Sequence, residues 1–146
     1  MNIRIAQSTD VAALVVFNQS MAMETEQKSL DQVVLSKGVG ALIADPAKGF
    51  YLVAEQDGQV VGSLMVTTEW SDWRNAVFWW IQSVYVLPQN RRQGIYAKLY
   101  ARVKELAAEQ GNVCGFRLYV EKENTVAQAT YQSLGMEESH YLMYEE

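Results

Sequence analysis

The sequence predicts an α+β fold: one domain on a mixed central β-sheet flanked by helices, in the order β-α-α-β-β-β-α-β-α-β. Three observations carry this reading. Two β-rich runs flank Asp57-Gly58, a pair that suits a tight hairpin turn. The run "AVFWWIQSVYV" is apolar on both faces, as a central strand is. After it, "GIYAKLYARVKELAAEQG" carries apolar residues at helical spacing, and a further strand-like run follows.

The elements follow in order. "NIRIA", residues 2–6, alternates and reads as a short strand. Ser8, Thr9 or Asp10 can cap a helix carried by the apolar residues from Val11 to Met23. "SLDQVVLSKGVGALIAD" reads as a second helix closing near Gly38. "GFYLVAEQDGQVVGSLMVTTEW" is the hairpin, and "SDWRN" is a turn. Pro88 ends the central strand, and the helix beyond it stops at Gly111. "VCGFRLYVEKEN" reads as a strand, "TVAQATYQSLG" as a short helix ended by Gly135, and "MEESHYLMYEE" as a closing strand. No linker, repeat or low-complexity segment interrupts the chain, so 1–146 reads as one domain.

Composition narrows the chemistry. A net charge of −5 argues against broad nucleic-acid binding and is compatible with a cationic substrate. Cys114 is the single cysteine, which excludes an intrachain disulfide and a cysteine-rich metal site; in its apolar stretch it reads as an inert buried thiol. His140 is the single histidine, so neither a histidine triad nor a multi-histidine metal site is available, and no metal is expected. No apolar run reaches the roughly 18 residues of a membrane span. The N-terminus lacks a signal-peptide core, so a cytoplasmic protein without a membrane partner is expected.

The segment "PQNRRQGIYAKLY", residues 88–100, joins the central strand to a helix. A helix start has unpaired N–H groups, and the amides of Gln93, Gly94, Ile95, Tyr96 and Ala97 lie there. Gly94 permits a sharp turn and close approach, and Arg91 and Arg92 add positive charge. The set suits a phosphate or pyrophosphate, but it is neither a P-loop nor the G-x-G-x-x-G fingerprint. A solvated basic turn is the alternative.

"RRQGIY" after "SVYVLP" resembles the acyl-CoA-binding signature of the GNAT superfamily of N-acetyltransferases, [RQ]-x-x-G-x-[GA] at a helix start. Arg91 and Gly94 match; Tyr96 stands where Gly or Ala is usual. "ENTVAQATYQSLGM" matches a second family feature through Asn124, Ala127, Tyr131, Leu134 and Gly135. The resemblance implies a GNAT-like domain that uses acetyl-CoA as cosubstrate. The pyrophosphate would rest on the 91–97 segment, and Asn124 would contact the coenzyme or cap its helix. The resemblance further implies that the neighbouring strand splays from Val84, Tyr85 and Val86, freeing backbone for the pantetheine arm.

Acetyl transfer from a thioester needs a positioned amine, its neutral form, and a stabilised leaving thiolate. By the resemblance, Tyr131 is the general acid. The base is not legible. Tyr119 stands where many relatives carry glutamate, Glu121 and Glu123 read as solvated, and Gln82 and Ser83 are poor bases. Two clusters remain as acceptor-contacting candidates: Glu24 with Glu26, and Glu69 with Trp70 and Asp72 near Trp73. A water chain can replace a dedicated base. The implied function is acetylation of a small-molecule amine. A protein or peptide amine acceptor and a non-catalytic acyl-CoA sensor are the alternatives. Sheet edges or the C-terminal strand offer a route to a homodimer.

Overall fold

The computed structural model describes all residues, Met1 to Glu146. The hairpin forms where its turn dipeptide stands. Asp57 and Gly58 both take positive φ, 52° and 77°, joining β2 (Phe50–Gln56) to β3 (Gln59–Ser71). Positive φ at both central residues matches a type I′ turn, whose twist suits the flanking strands. A turn at 72–75 returns the chain into β4 (Ala76–Val86). With β1 (Asn2–Ile5) and β5 (Val113–Arg117) these form one sheet in the order β1-β2-β3-β4-β5. Only the β4–β5 pair is parallel. β4 is therefore interior, but one place off the centre that its double-sided apolarity suggested.

Helices cover both faces. α1 (Val11–Glu26) and α2 (Gln32–Ala44) close one face, where Leu14, Val15, Val39 and Leu42 pack on Tyr51 and Val53. α3 (Ile95–Gln110) lies on the other, where Ile95, Leu99 and Val103 meet Leu52, Leu64, Val66 and Ile81. α4 (Thr125–Ser133) borders that second core through Tyr131, with Leu134 just beyond it. No helix is long and apolar enough to cross a membrane.

Three expectations are corrected. α2 does not close near Gly38; it runs through Gly38 and Gly40 to Ala44. Glycine in a helix costs about 1 kcal/mol, and burying Val39 and Leu42 against the sheet outweighs it. β5 ends at Arg117, not near Asn124, because β4 and β5 part there. The closing strand does not form: residues 137–146 are exposed and enter no ladder. Strand propensity needs an edge to pair with, and within one chain this segment has taken none.

One buried charge anchors β1 to the start of α1. The Asp10 carboxylate accepts from Arg4 Nη1 at 2.8 Å, Arg4 Nη2 at 3.0 Å and the Gln7 amide at 2.7 Å. The Arg4 guanidinium, ahead of the Gln7 amide, holds this carboxyl below the usual aspartate range. The native pKa is depressed, so the contribution is complete above the unfolded value, about 3.9. It is lost as pH falls through the native value. Asp10→Asn should cost about 1–3 kcal/mol at neutral pH and flatten the acid limb of a urea-stability profile below pH of about 4. An unchanged acid limb would refute the assignment.

Candidate active site

The site begins with an irregularity in β4. Ser63 pairs with Tyr85 while Met65 pairs with Gln82, so β4 carries one extra residue there. Ser83 takes φ 52° in this bulge. A bulge bends and twists its strand. On the other side, the last β4–β5 rung is Trp80–Arg117. From Ile81 to Val86 the β5-facing edge of β4 has no ladder partner. The gap thus opens beside Val84, Tyr85 and Val86, where the family resemblance implied a free backbone edge.

Beyond β4 a short turn, Pro88–Asn90, leads to the head of α3. Arg92 and Gly94 take positive φ, 64° and 75°. This alternation turns successive amides toward a common side. The N–H groups of Arg92, Gln93, Gly94, Ile95, Tyr96 and Ala97 donate to no protein acceptor; the first α3 amide to do so is that of Lys98, to Gly94. A Cβ built on Gly94 would meet nothing within 4 Å, so the approach is open. With the positive end of the helix dipole behind it, this cradle fits a diphosphate.

Arg91 braces the loop from its surface. Its Nε donates to the Val86 carbonyl at 2.9 Å, its Nη2 pairs with Glu24 Oε2 at 2.9 Å, and its guanidinium lies 5.3 Å from the Tyr85 ring centre. Glu24 also accepts from the Tyr85 hydroxyl at 3.3 Å. The Tyr85 ring is buried and packs on Phe17 of α1. Glu24 thereby ties the end of α1 to the loop; Arg91 and Arg92 are both exposed, but only Arg92 is left without a carboxylate partner.

Tyr96, the departure from the family pattern, points its side chain into the core, away from the cradle. Its ring stacks with Tyr100 at 6.0 Å and meets Tyr131 edge-on at 5.4 Å. The Tyr131 phenol is thus placed by contact with the first turn of α3. Burial pushes its pKa above the ordinary 10, so it is protonated throughout the neutral range. Asn124 caps α4, its Oδ1 accepting from the Ala127 amide at 3.1 Å. The Tyr96 hydroxyl is buried without a partner. Tyr96→Phe should therefore stabilise the fold by about 1 kcal/mol, read as a higher midpoint in urea; a loss of stability would show that the hydroxyl is satisfied.

The acceptor candidates separate. Glu24, Thr25 and Glu26 face Glu121, Glu123 and Asn124 across a cleft of about 520 Å³. Glu69 lies elsewhere, on the sheet face, bonded to Trp80 and Arg117. Trp70 is largely exposed, and Asp72 accepts the Trp73 amide within the turn. Arg117 had no signal of its own in the sequence. Only the β3–β4–β5 register brings it beside Glu69. Cys114 is half-buried rather than sealed in the core. No group of three His, Cys, Asp or Glu side chains converges on a metal geometry.

A sequence model of the Acetyltransferase (GNAT) family matches residues 17–136. The chain is 26% identical to an uncharacterized N-acetyltransferase, YhfO, of Bacillus subtilis (strain 168), over 98% of this chain and 97% of that protein. It is similar to the crystal structure of a possible acetyltransferase from Clostridium difficile 630, with TM-score 0.93 and 50% identity over 99% and 95% of the two chains. It shares its fold with AAC(6')-Iy in complex with the bisubstrate analogue CoA-S-monomethyl-acetylneamine, with TM-score 0.75 and 17% identity over 99% and 96%.

Proposed function

The chain belongs to the GNAT family of acetyltransferases, and from that premise we propose that it moves an acetyl group from acetyl-CoA to the primary amine of a small molecule, with Tyr131 as general acid. The observation that carries this reading is a juxtaposition. The amides of Arg92 to Ala97 lack protein acceptors, and the ring of Tyr96 within that run touches Tyr131. Acetyl-CoA, the family's cosubstrate, supplies the activated acetyl thioester.

In this reading the cradle amides hold the diphosphate, with Arg92 adding charge. The free edge of β4 at Val84, Tyr85 and Val86 pairs with the amide-bearing arm, as an added strand would. Asn124 contributes its amide nitrogen while its oxygen caps α4. Tyr131 Oη donates to the leaving sulfur. Its raised pKa makes it a hydrogen-bond donor that remains loaded in alkaline solution. Both Glu24 and Glu69 are engaged in ion pairs, so the amine proton passes to water or to an unpaired cleft carboxylate, Glu26, Glu121 or Glu123. Rates should then rise with pH until the acceptor amine is neutral. The opposed Glu24–Glu26 and Glu121–Glu123 walls favour a positively charged acceptor. A neighbour solved with an acetylneamine conjugate of CoA supports a small-molecule amine.

The test is calorimetric titration of coenzyme A into purified protein, followed by thiol release from acetyl-CoA across a panel of small amines. Saturable binding and amine-dependent release are expected. No affinity for the coenzyme would end the proposal; binding without release to any amine would favour the sensor.

A homodimer and a cytoplasmic location belong to the same reading. The outer edge of β5 has no partner strand, and Tyr141, Leu142, Met143 and Tyr144 are exposed. Sedimentation should give a dimer for the full chain and a monomer after removal of residues 137–146. A monomeric full chain would refute the dimer, and cell fractionation tests the location.

A further inference from the structure

The strongest built feature outside the cradle is a platform on the sheet face shared with α1 and α2. Glu69 Oε1 accepts from Trp80 Nε1 at 2.8 Å and from Arg117 Nη1 at 3.1 Å. Arg117 is itself held over an aromatic ring, 3.6 Å from the centre of Phe78. Gly115 makes room for that ring: a Cβ there would lie 2.9 Å from it. The Trp80 ring sits 5.8 Å from that of Tyr119. Two donors therefore fix one carboxylate oxygen of Glu69, while Oε2 meets no protein donor.

Its position matters as much as its rigidity. Trp80–Arg117 is the last rung before β4 and β5 part, so the platform stands at the lip of the gap. Tyr119 continues from it toward Glu121 and Glu123 of the acidic cleft. The Glu69–Arg117 pair is neutral by itself, but Glu26, Glu121 and Glu123 are paired with no basic side chain. Toward the cleft the field is therefore negative, while away from the gap the Arg74 guanidinium lies 5.0 Å from the Phe78 ring centre.

We propose that Glu69 binds a second cationic nitrogen of the acceptor, with Trp80 and Arg117 as positioning residues and the aromatic faces of Trp80 and Tyr119 beside the cation. The acceptor class is then a molecule with at least two amino groups: one docked as ammonium on Glu69 Oε2, the other directed into the gap. This rests on the acetyltransfer reading and deepens it. A fixed carboxylate gives a charge-assisted bond to an ammonium, and the ring faces add cation–π attraction. A monoamine can use either the anchor or the reactive position, not both.

Titration calorimetry on coenzyme A-saturated protein, with diaminobutane and butylamine as probes, tests this. Wild type should bind the diamine roughly tenfold more tightly, the scale of one such contact. Glu69→Gln should bring the ratio to about one. Trp80→Phe keeps a ring and removes one donor to Glu69, and should lower the ratio part of the way. Equal affinities in wild type, or a ratio preserved in Glu69→Gln, would overturn the proposal. Thiol release separates the two layers: diamine preference without turnover leaves the anchor standing and removes the acetyltransfer reading, while turnover without preference does the reverse.

Discussion

Tyr131→Phe is expected to lower the turnover number by roughly one hundred- to ten-thousand-fold, the range for loss of a positioned general acid. Coenzyme A affinity should change little. The substitution removes one oxygen and keeps the ring that meets Tyr96 at 5.4 Å, so packing at the head of α3 is preserved. Burial is the cause of the phenol's upward shift. A buried phenol resists forming its anion, so it donates to a sulfur without giving up its proton prematurely. The wild-type rate should therefore not fall on the alkaline side before the ordinary tyrosine range, near 10. Pre-steady-state thiol release with parallel calorimetry checks both parts. Turnover within a few-fold of wild type would remove Tyr131 from the chemistry.

Gly49→Ala is expected to destabilise the fold by about 3 kcal/mol or more. Gly49 leads into β2 with φ 137°, a conformation that side chains rarely adopt. An added Cβ would collide with the Val66 carbonyl oxygen, a backbone atom inside the β2–β3 ladder. Backbone in a ladder cannot yield without loss of its hydrogen bonds, so strain and clash add. Gly58→Ala is the control: φ is 77° there, but a Cβ meets nothing within 4 Å. That variant should lose only about 1 kcal/mol. Urea denaturation of the two variants measures the difference, and similar losses would show that conformation alone, without the clash, governs position 49.

Local chemistry was legible wherever a few adjacent residues suffice. Asp57-Gly58 determined its turn because positive φ at two positions is a local demand. Gly111, with φ 87°, ended α3 for the same reason. The amide-rich head at Gly94 and the helix carrying Tyr131 are likewise short-range features. Gly38 misled because a glycine's local cost is small beside the burial of Val39 and Leu42 by distant β2 residues. The closing strand misled because β-propensity is realised only through pairing, and residues 137–146 enter no ladder although the outer edge of β5 is open.

Tertiary structure decided what depends on register. The Ser83 bulge and the parting of β4 from β5 at Trp80–Arg117 come from how three strands align, and that alignment opens the gap. It also joined Glu24 to Arg91 across 67 positions and Glu69 to Arg117 across 48. It turned Tyr96 inward onto Tyr131 as well. Sequence by itself determined the backbone donors and the phenol, since those reside in single short segments. Only the folded sheet decided which carboxylates are already paired, because an ion pair needs partners that proximity in the chain does not supply.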